Sequence, residues 1–312
     1  MTVGQTRGEG VSFIVPVYNK KDWLPAVLAA LAAQRGSFAR EYIFVDDGST
    51  DGSMEIVEAV TASWPAVKLL RQANTGSAAA TNRGIALASM PFIKFCDADD
   101  LLAHDATRVL LDALRDTSAC LVWGERILYH PGQAVDLGLT LVPDCVTVVN
   151  DPLPLALRNS LFNPTQFLVR TDAVRRSGGC DERVVHSQEY SLTLRLARLA
   201  PFLHLDVPVA WIPVDVPGRL SGRTGDPGRQ LQRVTRAVAF FLRDNPDVPV
   251  SLVREACRRA AGRAWKYQKR HRDQKILLSP WFWNLVCAFM PGLKGPDFIE
   301  YCARAFDTGP GE

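Results

Sequence analysis

Apolar positions along this chain follow two rhythms. Val11 to Val17 is an almost continuous apolar run ending in Pro16-Val17-Tyr18-Asn19, as expected of a first strand buried on both faces of a parallel sheet. Leu24, Val27, Leu28 and Leu31 follow at i, i+3, i+4 and i+7, which is one face of a helix. Tyr42-Ile43-Phe44-Val45 then predicts a second strand, and strand, helix, strand at this spacing is a right-handed crossover unit. Ile56, Val57 and Val60 predict another helix, with Ser49, Thr50 or Ser53 as its N-cap. Phe92-Ile93-Lys94-Phe95-Cys96 reads as a further short buried strand. Pro213 to Gly228, rich in Pro, Gly and Arg, is expected to be a loop. Beyond it, Leu231, Val234, Val238, Phe241 and Leu242 return to helical spacing.

The polar residues at the strand ends add chemistry to this pattern. Asp97-Ala98-Asp99-Asp100 places several carboxylates at the C-terminal end of a strand, where open α/β sheets bind their ligands. Such a cluster repels itself unless a positive group sits in it. Hard oxygen donors suit Mg²⁺ or Mn²⁺, ions that commonly accompany a phosphate. A plainer reading is that Asp99 or Asp100 caps a helix beginning near Ala103. The second strand ends in Asp46-Asp47-Gly48-Ser49-Thr50-Asp51-Gly52-Ser53, which fits an Asx turn and cap, or carboxylates that read a base or ribose. Asn74 to Gly84 is rich in small residues and lets a helix start close to a ligand with its free N–H groups forward. It spells neither G-x-G-x-x-G nor a Walker lysine.

Composition narrows the class. The 312 residues suit one large domain or two small ones, and 47% hydrophobic content suits a full core. A net charge of +3 is too mild to call for nucleic acid, so no such partner is expected. The 7 cysteines are scattered with no C-x-x-C, which argues for reduced thiols and against a zinc site. The histidines show no metal spacing, and only His186 lies near a motif. Residues 1–10 read as a disordered polar tail without the apolar core of a signal peptide, so a cytoplasmic location is expected.

Taken in order, the motifs resemble those of family 2 glycosyltransferases of the GT-A fold. Val15-Pro16-Val17-Tyr18-Asn19 looks like the family's VPVYN, and Val45 to Asp51 matches its VDDGSTD. Asn74-x-Gly76 through Asn82-x-Gly84 is similar to NxGxxxARNxG, and Asp97-Ala98-Asp99 to the DxD metal motif. Ser177 to Glu182 is close to GGFDE, and Gln188 to Ala197 lines up with EDYDLWLRLA. The resemblance covers about two thirds of the chain, Val11 to roughly Trp211.

It implies an α/β fold with a mostly parallel central sheet flanked by helices, over residues 11–228, followed by a helical C-terminal extension at 229–312. It implies transfer of a single sugar from a nucleotide-diphosphate sugar, UDP by default, to an acceptor hydroxyl by inverting displacement. Mn²⁺ or Mg²⁺ would be held by Asp97 and Asp99, with Asp99 foremost. The nucleotide would meet Pro16, Tyr18 (against the base), Asn19, Asp46, Asp47, Asn74, Gly76, Asn82 and Asp97. Loop residues Arg219 and Arg223 would close over the diphosphate, and Glu189 would be the general base. Three departures matter. Gln188-Glu189 stands for the family's Glu-Asp, and the added methylene shifts the carboxylate by ~1.5 Å. Thr81 stands for an arginine, leaving Arg83 or Arg71 to meet a phosphate. Cys180 replaces an aromatic and opens the acceptor side.

Val253 to Lys275 is strongly basic, and Ile276 to Met290 after it is rich in Trp and Phe. That pairing suits peripheral contact with a membrane through residues 253–293, on the cytosolic face. Pro280 and Asn284 interrupt the apolar stretch, which falls short of a clean span. Such contact would fit a glycan or lipid-linked acceptor and assembly of a cell-surface polysaccharide or lipopolysaccharide. The faint QxxRW likeness at Gln230 to Val234 lacks its tryptophan, which favours single addition over polymerisation. Two other readings stand beside this one: a sugar-1-phosphate nucleotidyltransferase, and a non-catalytic homologue that binds a nucleotide.

Overall fold

The computed structural model describes residues 9–184, 188–214, 227–271, 279–290 and 295–306. The chain forms two compact units. The first is Met1–Pro152 with Phe162–Val214, and the second is Leu153–Leu161 with Asp215–Glu312.

The first unit opens with β1 (Gly10–Val17), α1 (Leu24–Ala32), β2 (Ala39–Asp46), α2 (Ser53–Thr61), β3 (Val67–Arg71), α3 (Ser77–Leu87) and β4 (Phe92–Phe95). These strands are parallel, in the order β3-β2-β1-β4. The expected crossover unit is therefore present, and all four residues of the α1 stripe are buried. After β5 (Leu101–Leu102) and α4 (Ala106–Leu114) come β6 (Leu121–Tyr129) and β7 (Val146–Val149). In the second unit α5 (Leu153–Arg158) follows; back in the first lie β8 (Phe167–Arg170), α6 (Thr171–Arg176), α7 (Gln188–Leu196) and β9 (Phe202–Pro213). They extend the sheet through β4-β8-β6-β9-β5, with β7 on β9, giving nine strands among the described residues. The result is the expected α/β class, a central sheet with its parallel half at the N-terminal end.

Phe13, Ile14 and Val15 of β1 and Ile43, Phe44 and Val45 of β2 are fully buried, which explains the unbroken apolar runs: both faces of this sheet are covered. One expectation about helix caps is corrected, and the plainer alternative for Asp99 and Asp100 is set aside. No hydroxyl of Ser49, Thr50 or Ser53 caps α2. Instead Asp51 Oδ1 accepts from Ser53 N at 3.0 Å and from Ser53 Oγ at 2.5 Å, with Gly52 at φ 88° closing the turn. The hydroxyls brace the turn after β1: Ser49 Oγ accepts from Asn19 N at 3.0 Å and Ser53 Oγ from Lys20 N at 2.7 Å. Nor do Asp99 and Asp100 cap a helix near Ala103, because β5 intervenes and α4 begins at Ala106 after Asp105.

The second unit carries α8 (Pro227–Asp244), α9 (Val250–His271), α10 (Pro280–Cys287) and α11 (Pro296–Ala303). Val238, Phe241 and Leu242 of the α8 stripe are buried. No helix among the described residues is long and apolar enough to cross a membrane.

Candidate active site

Strand order decides where the site lies. From β1 the chain moves outward to β2 and β3, then returns to place β4 on the other side of β1. The connections leave β1 and β4 in opposite directions, which opens a crevice at their C-terminal ends. Pro16 at the end of β1 and Asp97 just past β4 line one pocket there. Thr81 of α3, Cys180, and Gln188 and Glu189 of α7 complete its polar wall, and Phe95, Phe167 and Leu192 are among its apolar ones.

Asp97, Asp99 and Asp100 each bring a carboxylate oxygen within 4.8 Å of the others, with Asp99 and Asp100 buried and Asp97 half-buried. This set of hard oxygens fits a Mg²⁺ or Mn²⁺ ion. The surroundings hold the cluster in shape. Thr165 Oγ1 donates to Asp100 Oδ2 at 2.8 Å and accepts from Asp97 N at 3.0 Å. Lys94, fully buried in β4, donates from Nζ to Thr165 O at 2.6 Å and to Phe95 O at 2.9 Å. Its pKa is lowered by burial, an effect that the charges of Asp100 and Asp97 oppose. Lys20 Nζ lies 2.7 Å from Asp99 Oδ2. Thr165 and Lys20 carried no signal in the sequence. Lys94 did, as a lone cation inside an apolar strand.

On the β2 side, Asp46 and Asp47 are both buried. Asp46 Oδ1 accepts from Ser49 N at 3.0 Å. Asp47 binds the loop before α3: it accepts from Thr75 N and Gly76 N, each at 2.9 Å, and from Gln72 Nε2 at 2.8 Å. Gly76 sits at φ 95°, open to glycine at little cost. Asn19, itself at φ 50°, accepts on Oδ1 from Thr50 N at 2.9 Å. Asn82 clamps α3 to the loop after α6, donating to Cys180 O at 3.0 Å and accepting from Cys180 N at 2.8 Å. Tyr18, 48% exposed, and the exposed Asn74 face solvent. So Asp46, Asp47, Asn19 and Asn82 hold the loops around the crevice. Arg71 lies on the Glu55 and Glu58 carboxylates of α2 rather than in the pocket. Arg219, Arg223 and His186 lie outside the described residues.

Glu189 sits in the first turn of α7 and lines the pocket. Enclosure among protein atoms pushes its pKa up to about 7, further than backbone amides at Glu189 and Tyr190 pull it down. Gln188 Oε1 accepts from Ser77 Oγ at 2.8 Å, tying α7 to the start of α3. Cys96 is pushed up to about 12 and Cys180 higher still, both by burial, so neither thiol is a nucleophile at neutral pH. A half-buried carboxyl poised near neutrality on the same pocket as Asp97 can exchange a proton with a bound hydroxyl.

The family model described as Glycosyl transferase family 2 matches residues 12–177, more than half of the chain. A stretch of 90 residues, 29% of the chain, is 42% identical to the uncharacterized glycosyltransferase YibD of Escherichia coli (strain K12), covering 26% of it. A longer stretch of 198 residues, 63% of the chain, is 27% identical to chondroitin synthase of Escherichia coli, covering 28% of it. The matches thus span about a quarter of those relatives' length. Among solved structures, S. aureus TarS 1-349 in complex with UDP-GlcNAc aligns with TM-score 0.66 at 19% identity, over 88% of this chain and 79% of that one. The mannosyltransferase PcManGT from Pyrobaculum calidifontis, in complex with GDP-Man and Mn²⁺, aligns with TM-score 0.53 at 17% identity, over 96% and 74%. At these identities the likeness concerns the fold.

Proposed function

The chain belongs to glycosyl transferase family 2, and from that premise we propose that this glycosyltransferase moves a single sugar from a nucleotide-diphosphate sugar, UDP-linked by preference, to an acceptor hydroxyl with inversion. The observation that carries this reading is the shared pocket of Asp97, beside Asp99 and Asp100, and Glu189. It sets a phosphate-side charge centre and a proton acceptor around one cavity. The UDP-GlcNAc and the GDP-Man with Mn²⁺ bound by the two structural neighbours support a nucleotide-sugar donor and a divalent ion.

Asp97 and Asp99 would hold the ion, which when bound supplies charge stabilisation to a departing diphosphate. Glu189, deprotonated, takes the proton from the acceptor hydroxyl as that oxygen attacks the anomeric carbon. Its raised pKa makes it a stronger base than an exposed glutamate, and its largely apolar surroundings exclude bulk water from the attack. Tyr18, solvent-facing at the mouth of the crevice, is free to pack on the base. Asp46 reads the base or ribose, with Asp47, Asn19, Asn74, Gly76 and Asn82 shaping the nucleotide's side. Arg219 and Arg223 are assigned to the diphosphate by resemblance. The chondroitin synthase relative supports a glycan product, consistent with polysaccharide or lipopolysaccharide assembly.

The second unit suits a membrane-facing acceptor. Arg254, Arg258, Lys266, Lys269 and Arg270 are exposed along α9. Beside them Trp283 of α10 and Phe289 and Met290 after it are 55%, 64% and 52% exposed, and Arg258 lies 5.3 Å over the Phe289 ring. Basic and aromatic residues on neighbouring segments fit an anionic lipid surface.

Calorimetric titration of UDP, GDP and dTDP, with and without Mn²⁺, into the wild type and Asp99→Asn tests the central claim. Metal-dependent binding of one nucleotide, abolished in the variant, is expected. Absence of binding by folded wild type to any of the three overturns the nucleotide-donor reading.

A further inference from the structure

Lys20 was not among the residues that the motifs single out, yet its ammonium lies 2.7 Å from Asp99 Oδ2, one of the three converging carboxylates. The contact joins the turn after β1 to the segment after β4, 79 residues apart in sequence. Asp99 is 5% exposed on its side chain and Lys20 22%, so the carboxylate is nearly enclosed while the lysine side chain is partly open to water.

The two ends of Lys20 are held differently. Its backbone N–H donates to Ser53 Oγ at 2.7 Å, and its carbonyl accepts from Trp23 N and Leu24 N at 3.0 Å each. The main chain is thus fixed at the start of α1. The side chain is a flexible four-carbon stem bearing a compact charge, which can move without disturbing that turn. Lys94, the other cation near the cluster among the described residues, is fully buried and bonded to two carbonyls, so it is a permanent part of the floor.

We infer that Lys20 is a built-in counter-ion that competes with the divalent metal for Asp99, so that metal enters readily only when the ammonium is drawn away by a nucleotide diphosphate. This rests on the reading of Asp97 and Asp99 as metal ligands. A carboxylate oxygen engaged by an ammonium must lose that partner before it can coordinate an ion at bonding distance. Two positive charges at one oxygen also repel. A diphosphate arriving at the same crevice offers Lys20 another anion. Metal and nucleotide therefore bind with positive coupling, and by linkage each raises the other's affinity by the same factor.

The test measures Mn²⁺ affinity, from the loss of the free aqueous Mn²⁺ paramagnetic resonance signal, with and without UDP. The proteins are the wild type, Lys20→Met, Lys20→Arg and Asp99→Asn, each checked for folding by circular dichroism. Without UDP, Lys20→Met is expected to bind Mn²⁺ about fivefold more tightly than the wild type, the scale of one partly screened ion pair. The enhancement of Mn²⁺ binding by UDP should shrink by a similar factor in Lys20→Met, while Lys20→Arg, which keeps the charge, behaves like the wild type. If nucleotide-free affinity in Lys20→Met equals or falls below that of the wild type, the competition is overturned while the metal site stands. If Mn²⁺ binding with UDP is absent from the wild type, or survives in Asp99→Asn, the metal reading itself fails and takes the inference with it.

Discussion

Single residues in this pocket trade stability against chemistry, and two substitutions expose the trade. Glu189 has its pKa raised to about 7 by burial, so the folded protein holds that proton more tightly than the unfolded chain does. The stability contributed by the protonated form is full below the unfolded value near 4.5 and is lost as pH rises through about 7. Glu189→Gln is therefore expected to melt higher than the wild type at pH 8, with the gap closing toward pH 4. The same variant should lose about 10²- to 10⁴-fold in kcat while keeping donor affinity. In the wild type, kcat/KM for the acceptor should climb with pH through the neutral region. A pH-independent rate would remove Glu189 from the proton transfer.

Thr81 supplies the second case. Its Oγ1 is buried in the pocket wall with no hydrogen-bond partner among the described residues. An unsatisfied buried hydroxyl costs about 1–3 kcal/mol. Thr81→Val, nearly equal in shape, should raise the melting temperature by about 2–4 °C. A lower melting temperature would mean that the hydroxyl is already satisfied. Sequence comparison with the family pattern marked Thr81 and Glu189 as departures. It could not show that one lacks a partner or that the other is raised toward neutrality, because both depend on what encloses them.

At the scale of elements, the approach of α3 to β1 sets the width of the crevice. A Cβ placed on Gly84 would drive into the Ile14 side chain of β1. Ile14 is fully buried in a close-packed sheet and has nowhere to go. Gly84→Ala should thus push the helix outward and destabilise the protein by roughly 1–3 kcal/mol, measurable by chemical denaturation. An unchanged midpoint would show that the helix has room to move. The elements themselves were readable: periodicity located β1, α1, β2, β4 and α8. Their ends were less so. The cap of α2 is not where the sequence suggests, because Ser, Thr and Asp cap helices and brace turns with the same atoms, and only the neighbouring chain decides which. Here the turn at Asn19 and Lys20 claimed the hydroxyls of Ser49 and Ser53.

For the whole molecule, the proposed membrane contact gives a salt-dependent expectation. Co-sedimentation with vesicles containing phosphatidylserine should be strong at low salt and weaken at physiological ionic strength, since exposed lysines and arginines act within a Debye length of about 8–10 Å. Trp283→Ala with Phe289→Ala should reduce binding further. No binding at low salt would assign the α9 face to ordinary solvation. The chain's own order of residues determined the alternation of strands and helices, the family, and the carboxylates that end β2 and β4, because these follow from local periodicity and short motifs. Only the tertiary structure decided that Lys20 reaches Asp99, that Thr165 and Lys94 brace the cluster from below, and that Glu189 shares a pocket with Asp97. Those contacts join residues 65 to 92 positions apart, and their strength comes from burial, which no local stretch of sequence carries.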